Sequence, residues 1–343
     1  MSISHRPVLL IGSFPYKTPR EVFDVAGSAL AGYAKRIPDG EAQGWNTFPA
    51  ATLAKAEGLE PSGRTARMQP EMPAYPLYHV TPGGKASDIR FAPVGYDRIA
   101  LASYEAFKAA RNAGKISAQT RFQVSLPTPF ATIGARVVPE QVPEILPAFE
   151  EHYFQEVDAI VRTIPAQDLA FQWDVAVEIV QSLEGNRPTL KDFAPLEFLA
   201  AAIARAIDRV PAGIEAGFHL CYGNPGGRHI VEPRDTRVMV DLANATFDAV
   251  KRDVNWLHMP NPKARNDDAY FAPLRNLKLP LQTEFYLGLV HASDSADEMK
   301  GRIATAKKFA PYFGVGWECG MRAFKPENIP EMLELHKAAA NIE

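Results

Sequence analysis

The sequence predicts a single (β/α)8 barrel. Short β-prone runs alternate with longer amphipathic stretches along most of the chain, many of the runs end in polar or reactive residues, and 343 residues suit one barrel with decorated loops. Such alternation reads as βα units around a parallel sheet, and in a barrel the C-terminal strand ends gather at one mouth. The expected organisation is one barrel domain over residues 1–343, with a loop or hairpin inserted over the mouth within residues 60–100.

The first run, VLLIGSFP, begins at Val8 and is broken by Gly12 and Pro15. It is too short to span a membrane and lacks a small-residue cleavage site, so a cytoplasmic protein without membrane association is expected. Further runs are FQVSLPTP, AFQWDVAVEI, IEAGFHLCYG, VNWLHMPNP, LQTEFYLGLVH and YFGVGWECGM. Between them, YEAFKAARNAGK, LPAFEEHYFQEVDAIVRTI, LEFLAAAIARAIDRV, TRVMVDLANATFDAVKRD and DSADEMKGRIATAKKFA carry apolar residues at three-and-four spacing, the pattern of amphipathic helices. The eighth strand is expected within residues 65–100, a Pro- and Gly-rich stretch that reads equally well as an inserted loop or a hairpin.

The 37 basic and 40 acidic residues are interspersed and leave a formal charge of -3, which offers nucleic acid no electrostatic footprint and favours a small-molecule substrate. Both cysteines, Cys221 and Cys319, end strand runs, and in a reducing cytosol a disulfide between them is not expected. His219 and Cys221 in FHLCYG are two apart, which puts both side chains on one face of a strand. Cys319, in WECG, brings a second thiol from a distant run, and an imidazole with two thiolates suits zinc while leaving one position for a further ligand or a substrate. His258 in WLHMP is the leading candidate for that position, ahead of Glu284 and Glu318; a histidine hydrogen-bonded beneath a loop is the alternative. His229, in the glycine-rich GNPGGRH, is expected to be solvated. Aromatic residues near the strand ends, Phe14, Trp45, Trp173, Tyr222, Trp256, Tyr286 and Trp317, either face a substrate or fill the core.

IGSFP, HLCYG, LVH and ECGMR, in that order, resemble the catalytic C-terminal barrel of the cobalamin-independent methionine synthase superfamily, from about Ile11 to Phe324. The resemblance implies that Ile11, Gly12 and Ser13 contact an amino-acid substrate, because LIGSFPYKTPRE is similar to the family's opening segment. It implies that Glu41 in PDGEAQGW and Asp174 in FQWDVAVE bind the substrate amine. It assigns zinc to His219, Cys221 and Cys319, a proton-delivering role to His291, and a tetrahydrofolate as methyl donor or acceptor.

Three departures stand out. The family's glutamate zinc ligand is replaced by His258, one acid of its DEPA-type motif is missing in DVAV, and its folate-stacking tryptophan has no equivalent in VSLPTPFATIG. A neutral ligand in place of a carboxylate makes the metal centre less negative and a bound thiol less nucleophilic. The expected function is a zinc-dependent methyl- or alkyltransferase that holds a thiol as thiolate. The alternative is a zinc Lewis-acid lyase or demethylase acting on a small oxygenated substrate, with Asp174 or His291 as base. A zinc-stabilised binding barrel is disfavoured, since structural zinc sites are closed and cysteine-rich.

Overall fold

The computed structural model describes residues 5–42, 48–185 and 187–343, so Trp45 lies outside the described residues. Eight parallel strands form the barrel: β1 (Val8–Leu9), β2 (Arg36–Pro38), β5 (Arg121–Pro127), β6 (Leu169–Val175), β7 (Glu215–Leu220), β8 (Trp256–Pro260), β9 (Glu284–Val290) and β10 (Gly314–Trp317). They run in the order β1-β10-β9-β8-β7-β6-β5-β2. The ring closes between its ends through one parallel bridge, Val8 with Ala34, where the Val8 amide donates to the Tyr33 carbonyl at 3.0 Å. Among the described residues no helix is long and apolar enough to cross a membrane.

The eighth strand is not where the sequence pattern places it. It is the three-residue Arg36–Pro38, upstream of the Pro- and Gly-rich stretch and too short to show periodicity. Residues after it form an antiparallel hairpin, β3 (Leu59–Ala66) with β4 (Tyr75–Val80), outside the barrel sheet.

Period-two alternation sorts each strand between two environments. In β5, Phe122 packs on Phe23 and Phe107 of the surrounding helices, while Gln123 faces the lumen and donates to the Leu10 and Ile11 carbonyls, each at 3.0 Å. In β7, Phe218 meets Phe247 of the helix Arg237–Ala249, and Gly217 faces inward. A Cβ at Gly217 would collide with the Trp256 ring, so glycine is what admits this indole to the lumen. Local caps start three of the helices that follow the strands. Thr18 and Glu21 form a capping box ahead of Pro19–Ala29, Thr128 caps Pro129–Arg136, and Ser295 with Glu298 caps Ala296–Lys307.

The lumen is plugged at the strands' N-terminal end by a buried cation. Arg36 is 2% exposed, reaches Glu215 and Glu284, and lies over the Trp256 ring at 4.1 Å. Without Arg36, Glu284 keeps Lys35 and Glu215 keeps Arg121, and both carboxylates are about a quarter exposed, so the loss is smaller than for a sealed ion pair. Arg36→Met is expected to lower unfolding free energy by about 1–3 kcal/mol in urea titrations while the fold is retained.

Candidate active site

Strand register brings the chemistry to one level. Asp174 of β6 pairs with His219 of β7, which pairs with His258 of β8, which pairs with Tyr286 of β9. In-register residues of parallel neighbours point the same way, so Asp174, His219 and His258 share the mouth side of the lumen. Cys221, one step beyond β7, accepts from the Gly223 amide at 3.3 Å, and its own amide donates to the Val175 carbonyl at 2.9 Å.

Ligand atoms of His219, Cys221 and Cys319 all lie within 4.8 Å of one another, and the two sulfurs are 3.3 Å apart. His219 is buried and its Nε2 has no hydrogen-bond partner, whereas its Nδ1 is 2.8 Å from Nδ1 of His258. The Cys319 thiol is pushed well above the ordinary cysteine range, first by the Cys221 sulfur and then by burial. Two thiols this close, beside an unpartnered imidazole nitrogen, form a donor set that a soft divalent cation fits. His258 stands behind His219 rather than within the cluster of three, with its protonation disfavoured by burial and then by His219.

The cluster opens on a cavity of about 600 Å³ that is also lined by Ile11, Ser13, Glu41, Asp174 and Arg322. Three luminal side chains hold the Ile11 carbonyl: Gln123 at 3.0 Å, Ser125 at 3.0 Å and Gln172. Gln172 also donates to Asp174 at 2.9 Å. On the other flank the Phe14 amide donates to the Gly40 carbonyl at 2.9 Å and the Met321 amide to the Ser13 carbonyl at 2.7 Å. Gly12 is pressed against the Glu41 carboxylate so closely that a Cβ there would overlap it.

Glu41 holds a left-handed backbone, φ 51°, unusual for a residue with a side chain and typical of strained functional positions. Its amide donates to Asp39 at 2.9 Å, and Arg322 donates to its carbonyl. Burial and then repulsion from Asp39 raise the Glu41 carboxyl to about 7, against the pull of Arg322. Asp174 is raised well above the carboxylate range by burial and then by Glu41. Two carboxyl groups that resist being charged together are poised to take up a cation.

His291 lies deeper than a solvent-facing acid would. Burial first, then Arg302, lower its pKa to about 3, so the near-neutral value of a free imidazole does not hold here. Its Nδ1 is 3.8 Å from Glu318, and Nε2 of His229 is 2.7 Å from the other oxygen of that carboxylate. His229 is therefore not a solvated loop residue. Burial works against its charge, but Glu318 and Glu232 outweigh burial and raise its pKa to about 9. Trp173, Tyr222, Trp256 and Tyr286 are wholly buried side chains, and Phe14 and Trp317 belong to the core, which answers the aromatic question for these six.

Arg322, Glu178 and the His229–Glu318 contact were not singled out from sequence. Arg322 is the last residue of the ECGMR motif, a position that could have flagged it, whereas Glu178 sits on a π-helical turn, Glu178–Leu183, that no periodicity foretells.

A (β/α)8 barrel with a His-Cys-Cys cluster facing an acid-lined cavity is the class that fold and geometry define. No family model matches the chain, and no curated protein matches it in sequence. Solved structures with the same fold include a B12-independent methionine synthase from Shewanella sp. W3-18-1 in complex with selenomethionine. It is 14% identical, with TM-score 0.59, covering 94% of this chain and 87% of that one. A methyltransferase from Methanosarcina mazei is 13% identical, with TM-score 0.55, covering 99% and 94% respectively.

Glu178 offers a clean electrostatic test, being fully buried with one oxygen bonded by Thr128 and the other without a partner. Burial, opposed by the Thr128 bond, raises it to about 7. A carboxyl raised on folding holds its proton in the native state while the unfolded chain loses it, so stability falls as pH rises from the unfolded value towards 7. Glu178→Gln should match wild type near pH 4 and exceed it by about 3 kcal/mol above pH 7.5, measured by urea midpoints across that range.

Proposed function

We propose that the chain is a zinc-dependent, cobalamin-independent methyl- or alkyltransferase acting on a small-molecule thiol. The observation that carries this reading is the convergence of His219, Cys221 and Cys319 within 4.8 Å at the wall of a cavity that also presents Glu41 and Asp174. The resemblance of HLCYG, ECGMR and IGSFP to the methionine synthase barrel supports it, as does the shared fold. Zinc, when bound, supplies a Lewis acid that keeps a thiol deprotonated at neutral pH.

The chain's own residues divide the remaining work. Unpartnered Nε2 of His219 and the two thiols are the donors, and His258, bonded at Nδ1, orients the His219 ring and fixes its tautomer. Glu41 and Asp174 take the substrate's ammonium group, and Ile11, Gly12 and Ser13 seat its backbone-like end, with Gly12 giving the carboxylate of Glu41 its place. His291 delivers a proton to the departing atom. Its surroundings favour the neutral ring, and its Nδ1 is 3.8 Å from Glu318, so the ring must take up a proton as the transfer step proceeds rather than store one beforehand.

Purified wild-type protein should carry about one zinc per chain by elemental analysis, and Cys221→Ser and Cys319→Ser should each lose most of it. Adding an aminothiol such as homocysteine should raise the number of sulfur neighbours in the zinc X-ray absorption spectrum and release a proton. Full zinc in both serine variants, or steady turnover of an oxygenated substrate with no thiol present, would overturn the assignment; the second result is what a Lewis-acid lyase or demethylase gives.

His258→Ala should weaken zinc about 10- to 100-fold in chelator competition, the usual effect of removing an orienting partner. His258→Gln, which keeps a hydrogen-bonding group, should recover part of that loss. Equal affinity in His258→Ala would show that His219 needs no support.

A further inference from the structure

Two guanidinium groups wall the cavity, Arg322 and Arg136. Arg322 is engaged by the Gly40 and Glu41 carbonyls. Arg136 is not engaged by any carboxylate of the described residues, and the nearby acid Glu140 is taken by Arg64.

Arg136 occupies the last turn of the helix Pro129–Arg136. A basic residue there commonly serves the exposed helix-end carbonyls. Here Arg187 does that: its guanidinium donates to the Gly134 carbonyl, to Ala135 at 3.2 Å and to Val137 at 3.2 Å. Arg136 is thereby spared the capping role, and its guanidinium carbon lies 4.1 Å from the centre of the Tyr75 ring, supplied by β4 of the hairpin. Tyr75 is in turn held by Gln181 of the π-helical turn at 3.3 Å, and the same amide contacts the Met68 sulfur at 2.7 Å. Helix, hairpin and π-turn thus converge to hold one planar cation at the wall of a cavity that Met68, Ala131, Ala135, Val177 and Ile230 also line.

The helix begins beside Asp174, whose carbonyl accepts from the Thr128 amide at 3.4 Å. Eight residues at the usual rise put Arg136 about 12 Å along the helix from that point. The cavity therefore has a part that prefers a cation, at Glu41 and Asp174, and a separate part that prefers an anion against apolar walls.

We propose that Arg136 is the anion-recognising residue of a second substrate subsite, and that the alkyl donor is a small, largely apolar molecule bearing a carboxylate. A planar guanidinium matches a carboxylate in a two-point contact, and stacking on Tyr75 keeps it pre-organised for that contact. This rests on the transferase reading for the word donor, but the subsite itself is defined without it.

The test is calorimetric titration of the full chain with matched pairs, 3-phenylpropionate against 3-phenylpropanamide and hexanoate against hexanamide. Wild type should bind at least one carboxylate about tenfold or more tightly than its amide, as a charge-assisted bond requires. Arg136→Gln should abolish the preference, and Arg136→Lys should retain part of it. Zinc content and thermal midpoint, read on the same samples, should not change. No carboxylate preference in wild type, or an undiminished preference in Arg136→Gln, overturns the subsite. Loss of preference in Arg136→Gln with zinc intact supports it. A preference that depends on Arg136 in protein that binds no zinc also supports it, and strikes only the transferase reading.

Discussion

The in-register pairing of β6, β7 and β8 is the constraint on which the site depends. Parallel strands in register present equivalent residues at one height, so Asp174, His219 and His258 are neighbours because Asp174 opposes His219 and His219 opposes His258. A one-residue slip in any of these strands would turn its functional side chain toward the helices and bring an apolar one inward. Gly217 and Trp256 guard that register from below, since the indole fits only against a residue without a side chain. The plug of Arg36 with Glu215 and Glu284 closes the same lumen at its other end. Stability work is thus concentrated at the bottom of the barrel and chemistry at the top.

Electrostatics at the mouth follow from burial more than from any single neighbour. Desolvation is the largest influence on Glu41, Asp174, Glu178 and His291, pushing the acids up and the imidazole down. The result is a site whose carboxyl groups and His291 ring are held near neutrality until a charged partner enters. His229 is the exception because two carboxylates face it. Groups kept uncharged by low polarity respond strongly to an incoming charge, which is how a compact cavity can favour a charged ligand over a neutral one of the same shape.

Much of this was legible in the sequence, and the reasons differ by element. Alternating β-prone and amphipathic runs disclosed the barrel because its strands are buried and its helices half-buried, two environments that write different periodicities. The His-x-Cys spacing and the distant Cys319 disclosed the cluster because strand geometry maps short spacings directly to faces. What was illegible depended on tertiary placement. Arg36–Pro38 carries no periodicity in three residues, and His229 looked solvated because loop composition says nothing of the glutamate opposite it. His258 was positioned correctly along the chain, but only strand pairing reveals that its ring meets His219. Arg136 ends an ordinary helix, and its stacking on Tyr75 with no carboxylate partner among the described residues is a property of the fold alone.

The closure of the ring at Val8 and Ala34 has a dynamic consequence. Every other neighbouring pair in the barrel shares a ladder of bonded residues, while the strands at this junction share one bridge, backed beyond their ends by the Phe14–Gly40 bond. Local opening follows the weakest cooperative unit, so backbone amides around Val8 and Tyr33 should lie at the fast end of the hydrogen-exchange spectrum. Ile11 and Ser13 follow one side of that seam and Glu41 follows the other, and all three line the cavity. A molecule seated there spans the seam and is itself a fastener. Occupancy then slows exchange at residues it never touches, in proportion to its concentration over its dissociation constant.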